Sequence, residues 1–354
     1  MRIVYLLESV AEPWGGVQTV LRDAQALSAR GHQVEVVSRD GPPAWKALSL
    51  PFHRDPELSL GDVAPADLVV GTFWTTILPA LRSGKGAAVH FCQGLEDGPD
   101  LPGRTREAIE TVYSMEETEL IVVSPHLARV LEQRFGRRSR LVPNTVDSRV
   151  MFPGPVREGN RPFRVGLVGP AQFPIKGIST GYEACLLASR AGLDLVLVRA
   201  SHMPFLDVEF RLPLPLEAHQ NLPYERMGEF YRSLDLFLGT SNSENEGFYL
   251  PGLEALACGV PSVLTDIPCL RSYGKGDFAL FVPPGDREAM AASLLLLARR
   301  GDLRRKLREE GLRVARGFTM AARLDLLERT FGEILEEKGS RPTLVPAGPW
   351  GSIP

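Results

Sequence analysis

Cysteine is scarce in this chain, and its four examples, Cys92, Cys185, Cys258 and Cys269, stand far apart with no Cys-x-x-Cys pair. That spacing excludes a zinc ribbon and a disulfide framework and predicts reduced, partly buried thiols. An excess of charge is also missing. The formal net charge is −3, with acids and bases scattered along the chain, so the basic footprint of a nucleic-acid binder is absent. No apolar run reaches the roughly 20 residues that span a bilayer. Met1 to Leu7 reads as a first buried strand, and no signal peptide precedes it. These absences predict a cytoplasmic protein, with peripheral contact at the inner face of a membrane left open.

What is present is core-forming sequence. The 354 residues are 44% hydrophobic, and that length favours two α/β halves over one. Strand Ile3 to Leu7 leads through Gly15-Gly16 into a helix with Val17, Val20, Leu21, Ala24 and Leu27 on one face, and Gln33 to Ser38 alternates as a second strand. Gly15 and Gly16 lack a Cβ, so backbone there can approach a ligand phosphate, although one glycine is enough for a turn. Gly41 to Asp67 is turn-rich. Buried strands follow at Asp67 to Gly71 and Ala87 to Gln93, the latter ending in Gly94-Leu95-Glu96-Asp97-Gly98. Alternation puts His90 and Cys92 on one face and Phe91 and Gln93 on the other. Arg104 to Glu119 is predicted helical, and Ser124-Pro125 starts a helix running to about Phe135. Arg134, Arg137, Arg138 and Arg140 read as a solvated helix end.

Proline and glycine crowd residues 153 to 162, which marks a domain boundary. The same grammar then restarts: strand Arg164 to Val168, Gly169, a loop with Lys176-Gly177, a helix to about Arg190, and strand Leu193 to Val198. Ala200 to Pro223 reads as irregular, and Tyr224 to Ser233 as a helix. An apolar run, Leu234 to Leu238, then leads into the densest patch of polar chemistry, Ser241 to Val263. Glu246 and Glu254 flank a Pro251-Gly252 start to a helix, read here as Leu253 to Cys258. A loop at the carboxyl end of a strand and the amino end of a helix is where open α/β sheets bind ligands, and free N–H groups there favour phosphate or hydroxyl-rich groups.

In order along the chain, Gly15-Gly16, Gly31-His32-Gln33-Val34, Pro143-Asn144-Thr145-Val146-Asp147, Lys176-Gly177, Glu246-Gly247-Phe248-Tyr249-Leu250-Pro251-Gly252-Leu253-Glu254 and Val282-Pro283-Pro284-Gly285-Asp286 resemble the motifs of family 4 glycosyltransferases of the two-Rossmann-domain (GT-B) type, over nearly the whole length. The resemblance implies an α/β GT-B fold, two Rossmann-like domains facing a cleft. It implies an acceptor-side domain at 1–155, a donor domain at 156–318, a helix at 319–337 packing back on the first domain, and a flexible tail at 338–354. It also implies retaining transfer from a nucleoside-diphosphate sugar to a glycan, lipid or small-molecule hydroxyl, with no cofactor. No Asp-x-Asp motif occurs, so no metal is expected.

By the same resemblance Glu254 takes the ribose hydroxyls and Glu246 lies near the donor sugar. Phe248, Tyr249 and Leu250 offer backbone N–H groups to sugar hydroxyls, and Lys176 with the amides at Gly15 and Gly16 takes the diphosphate. Gln93 and His90 stand at the strand end that faces the sugar. Three departures matter. Gly169-Pro170 replaces a Gly-Arg pair whose arginine binds diphosphate, leaving Lys176, Gln172 or a distant arginine for that task. Gln93 stands where histidine is usual, and Tyr249 where glycine is frequent. A GT-B binding protein that has lost catalysis, or a sugar-nucleotide epimerase, is the alternative expectation.

Overall fold

The computed structural model describes residues 1–96, 102–156 and 162–339. Asp97 and Gly98, part of the Pro/Gly-rich boundary stretch and the tail from residue 340 lie outside the described residues. The chain forms two compact units, Met1–Asn144 with the residues from Ala321 onward, and Thr145–Met320.

In the N-terminal unit the strands are β1 (Arg2–Leu7), β2 (Gln33–Ser38), β3 (Phe52–Arg54), β4 (Leu68–Gly71), β5 (Ala87–Cys92), β6 (Glu119–Val122) and β7 (Arg140–Leu141). The helices are α1 (Gly15–Ala29), α2 (Trp74–Arg82), α3 (Gly103–Ser114) and α4 (Pro125–Phe135). The strands form one parallel sheet in the order β3-β2-β1-β4-β5-β6-β7. Strand order reverses between β1 and β4, so the loop carrying Gly15 and Gly16 leaves the sheet at its switch point. Sequence periodicity missed α2, whose nine residues include Pro79. The predicted cap of α4 is present, with the Leu127 N–H donating to Ser124 Oγ at 3.2 Å.

The C-terminal unit holds β8 (Phe163–Val168), α5 (Ile178–Arg190), β9 (Leu195–Ser201), α6 (Asp207–Phe210), β10 (Leu216–Gln220), α7 (Tyr224–Arg232) and β11 (Leu236–Gly239). It continues with α8 (Leu250–Ala257), β12 (Ser262–Thr265), α9 (Pro268–Arg271), β13 (Leu280–Val282), α10 (Arg287–Arg299) and α11 (Gly301–Ala315). Its parallel sheet runs β10-β9-β8-β11-β12-β13. Residues 200–223, read from sequence as irregular, contain the edge strand β10 and the short α6. Proline density hid both, because an edge strand tolerates residues that a central strand rejects. Buried side chains of α5 and α10, among them Tyr182, Cys185, Met290 and Leu294, pack with Val165, Leu197 and Leu238 of the sheet as one core.

The last helix, α12 (Met320–Gly339), is anchored in the N-terminal unit by charge. Arg323 donates through Nε and Nη2 to the two carboxylate oxygens of Asp23 on α1, at 2.8 and 2.6 Å, and both residues are buried. The basic cluster predicted as a solvated helix end divides. Arg137 is buried and donates to the carbonyls of Met115 and Thr118, whereas Arg140 pairs with Glu119 and Glu337 at 2.6 Å each. Carbonyls exposed at the end of α3 draw Arg137 inward, a demand invisible along the sequence. All four cysteines are buried, and none is joined in a disulfide among the described residues. Among the described residues no helix is long and apolar enough to cross a membrane.

Candidate functional site

In the C-terminal sheet, strand order reverses between β8 and β11, so the loops after these neighbours flank the switch point. The loop after β8 makes a 3₁₀ turn, Pro174–Lys176, and the loop after β11 carries Thr240 to Tyr249. They are bolted together. The Thr240 hydroxyl donates to the Lys176 carbonyl at 2.8 Å and the Asn242 N–H to the Ile175 carbonyl at 3.0 Å. Gly177, at φ +62°, allows the approach, since a Cβ there would meet the Thr240 carbonyl oxygen at 2.0 Å.

This docking brings two predicted site residues together. Lys176 Nζ lies 2.7 Å from Glu246 Oε2, and the side chains keep 27% and 15% of their exposure. The same oxygen accepts a hydrogen bond from the fully buried Ser241 hydroxyl at 2.9 Å. Both donors use Oε2, and among the described residues Oε1 accepts no hydrogen bond. The N–H groups of Gly247 and Phe248, just before α8, have no partner among the described residues. A half-buried cation, a carboxylate and free amides at one loop suit a ligand with both phosphate and hydroxyl groups.

The cradle differs from expectation in three details. Helix α8 starts at Leu250, earlier than read from sequence, and the Leu250 N–H donates to the Phe248 carbonyl at 3.0 Å, so it is not offered to a ligand. The Tyr249 ring is buried, and Cβ atoms added at Gly239 and Gly252 would meet it at 3.2 Å. Burial, with the Glu246 charge next, pushes its hydroxyl far above the ordinary tyrosine range. Phe248 is buried against Tyr273 and Phe318, so its backbone, not its ring, faces the site. Apolar side chains at the start of a helix bury when glycines opposite them leave room.

Glu254 sits on α8, 7% exposed, and its Oε2 accepts from the Tyr231 hydroxyl at 2.8 Å. Burial, reinforced by the Glu254 charge, keeps that hydroxyl protonated as a donor. Tyr231, 23 residues earlier on α7, was not singled out from sequence. Ser241 was, but only as part of the loop; a hydroxyl five residues before Glu246 was the available signal.

Of the candidates for the diphosphate role left by Pro170, two are already engaged. Gln172 Nε2 donates to the Pro204 carbonyl at 2.5 Å. Arg199 on β9 comes close, with Nη2 donating to the Gly169 carbonyl at 2.9 Å, but it is fully buried and also binds Tyr182, Glu209 and the Leu167 carbonyl. Lys176 is the cation left near the loop with side-chain exposure.

In the N-terminal unit, Gln93 follows β5 and its Nε2 donates to the Gly16 carbonyl at 3.3 Å. A Cβ on Gly16 would meet that amide at 3.1 Å, so the glycine permits the contact. Gln93 Oε1 is buried without a hydrogen-bond partner. Gly15 and Gly16 form the first turn of α1, and the side chain of Trp14, at the cap position, does not cap the helix. The expectation for His90 fails: it is 1% exposed and stacks on Tyr113 with ring centroids 5.3 Å apart. Burial, with Arg137 nearby, lowers its pKa to about 3. A neutral imidazole sealed in the core cannot touch a substrate. Among the described residues no cluster of three or more His, Cys, Asp or Glu is placed to hold a metal ion.

Residues 215–314 match the family model described as Glycosyl transferases group 1. No curated protein matches the sequence. Solved structures similar to the chain include sucrose-phosphate synthase from Thermosynechococcus elongatus, at 18% identity and a TM-score of 0.75, covering 95% of this chain and 100% of that one. Anabaena HepE in complex with UDP and glucose is similar at 16% identity and TM-score 0.73, covering 94% and 100%. A glycosyltransferase from Rickettsia africae is similar at 15% and 0.73, covering 95% and 98%. These likenesses show the fold, two Rossmann-like parallel-sheet units of the GT-B type.

Proposed function

We propose that the protein is a retaining, metal-independent glycosyltransferase of family 4 that moves a sugar from a nucleoside-diphosphate sugar to an acceptor hydroxyl. The observation that carries this reading is the Lys176–Glu246–Ser241 constellation at the switch point of the C-terminal sheet. The group 1 match over residues 215–314, which includes Glu246 and Glu254, supports it.

In this reading Glu254 takes the ribose hydroxyls, and Glu246 Oε1 accepts a hydroxyl of the donor sugar while Ser241 holds Oε2. Lys176 shifts its charge from Glu246 to the diphosphate as the bond from the anomeric carbon to the phosphate oxygen breaks. The acceptor oxygen bonds to the same carbon, and its proton passes to a phosphate oxygen of the leaving diphosphate. The free amides at Gly15 and Gly16 and the Gln93 amide are proposed as further contacts to the donor. A neutral amide cannot exchange a proton, so Gln93 is a hydrogen-bonding group. Because UDP occupies the similar HepE structure, UDP is the first nucleotide to test.

The test is to incubate the protein with a panel of nucleotide sugars, with and without acceptor extracts, and to follow free nucleoside diphosphate. Release that needs an acceptor supports transfer. Nucleotide binding without release from any donor favours the second reading, a binding protein that has lost catalysis, for which Pro170 and Gln93 are the motivating observations.

A further inference from the structure

The C-terminal unit has a second concavity, at the opposite ends of the same strands. It is lined by Asp235 just before β11 and Pro261 just before β12, and it is open to solvent. Its walls carry Arg232, Arg304, Arg305 and Arg308, and Gly301, the first residue of α11, lines it too. Four guanidinium groups at one pocket would repel one another unless their charge were met.

Three of the four have no carboxylate partner among the described residues. Arg304 Nη1 donates to the carbonyls of Leu297 and Ala298 at 2.5 and 2.9 Å. Arg308 donates to the carbonyls of Gly259, at 2.7 Å, and Gly154. Arg232 Nη1 donates to the Val150 carbonyl at 2.9 Å, and its guanidinium lies 3.9 Å from the centre of the Phe152 ring. Carbonyls and a ring hold these groups in place without cancelling their charge. Other arginines of this unit do face carboxylates: Arg164, Arg271 and Arg287 have one at 2.7, 2.6 and 2.9 Å. The carboxylate that lines the pocket, Asp235, accepts the Arg164 N–H at 2.9 Å through Oδ2.

We propose that this pocket is a second anion site, distinct from the Lys176 loop, that takes a soluble compound through its phosphate or diphosphate group. Arginine forks match phosphate oxygens, and the amino terminus of α11, a 15-residue helix, adds partial positive charge. Arg232 and Arg308 also hold the carbonyls of Val150 and Gly154. An anion bound here therefore tightens the segment 150–154 onto its unit.

Inorganic pyrophosphate is the probe, titrated by calorimetry into the full-length Lys176→Ala protein without UDP, so that the Lys176 loop does not compete. One saturable site is expected, weakened about tenfold or more when Arg304→Gln is added. Hydrogen exchange on the unaltered protein needs no variant to fold. Pyrophosphate is expected to slow exchange at 150–154, 258–261 and 301–305. No saturable binding overturns the proposal, as does protection confined to 172–178 and 241–250, or an affinity that Arg304→Gln leaves intact.

Discussion

Lys176 and Glu246 are 70 residues apart in the chain and 2.7 Å apart at their charged atoms. The pair forms because parallel strands β8 and β11 are neighbours and release their following loops on the same side of the sheet. Lys176→Ala is expected to weaken UDP binding about tenfold or more by calorimetry, the scale of one charge-assisted phosphate contact. Glu246→Ala is expected to lower turnover, while UDP affinity stays within about threefold. Normal turnover in both variants removes these residues from the site.

Glu254 and Tyr231 separate ligand contact from support. Glu254→Ala is expected to weaken nucleotide binding. Tyr231→Phe removes only the hydroxyl that donates to Glu254 at 2.8 Å and is expected to lower unfolding stability by about 1.5–3 kcal/mol, with a smaller effect on UDP affinity. Equal losses of affinity in the two variants would contradict this division.

Gly177→Ala tests the docking of the two loops. The added Cβ would lie 2.0 Å from the Thr240 carbonyl oxygen, on a residue at φ +62°, so the loop after β8 must move. The variant is expected to lose UDP binding and to unfold at lower denaturant concentration. Wild-type binding would show that the contact between the loops is dispensable.

His90 gives the protein an acid-sensitive core. Its pKa is about 3 when folded, against an ordinary 6.5, so between these values the unfolded chain takes up a proton that the folded chain refuses. Stability therefore falls as pH drops through this window, by at most about 1.4 kcal/mol per pH unit from this residue. Urea unfolding at pH 7 and pH 5 is expected to show a smaller pH dependence for His90→Phe, which keeps a ring against Tyr113. An identical pH dependence would assign the acid limb to other groups.

The buried Asp23–Arg323 pair is expected to be costly to break from one side. Arg323→Met leaves a carboxylate in the core and is expected to cost about 3–5 kcal/mol, of which the double variant with Asp23→Leu regains a part. Chemical denaturation of the four chains, with Asp23→Leu alone included, measures this directly. Additive losses would show that the two residues are not coupled.

Reading the chain alone located most central strands of both sheets and the loops of Lys176 and Glu246, though not the edge strands β3 and β10, because buried parallel strands are continuous apolar runs and glycines mark where loops turn into helices. Those signals are local, and they survive without knowledge of the fold. Side-chain direction does not. Tyr249 and His90 both stand in segments that looked like ligand contacts, yet each turns inward, Tyr249 because Gly239 and Gly252 leave space for its ring and His90 because Tyr113 stacks on it. Arg137 looked like an ordinary charge and Arg199 was not singled out, yet both are buried among carbonyls. By itself the sequence determined where the central apolar strands and most helices run, and where polar loops interrupt them. Only the tertiary structure decided that Ser241 and Lys176 meet on one oxygen of Glu246, since that contact depends on strand order in the sheet, which no local pattern encodes.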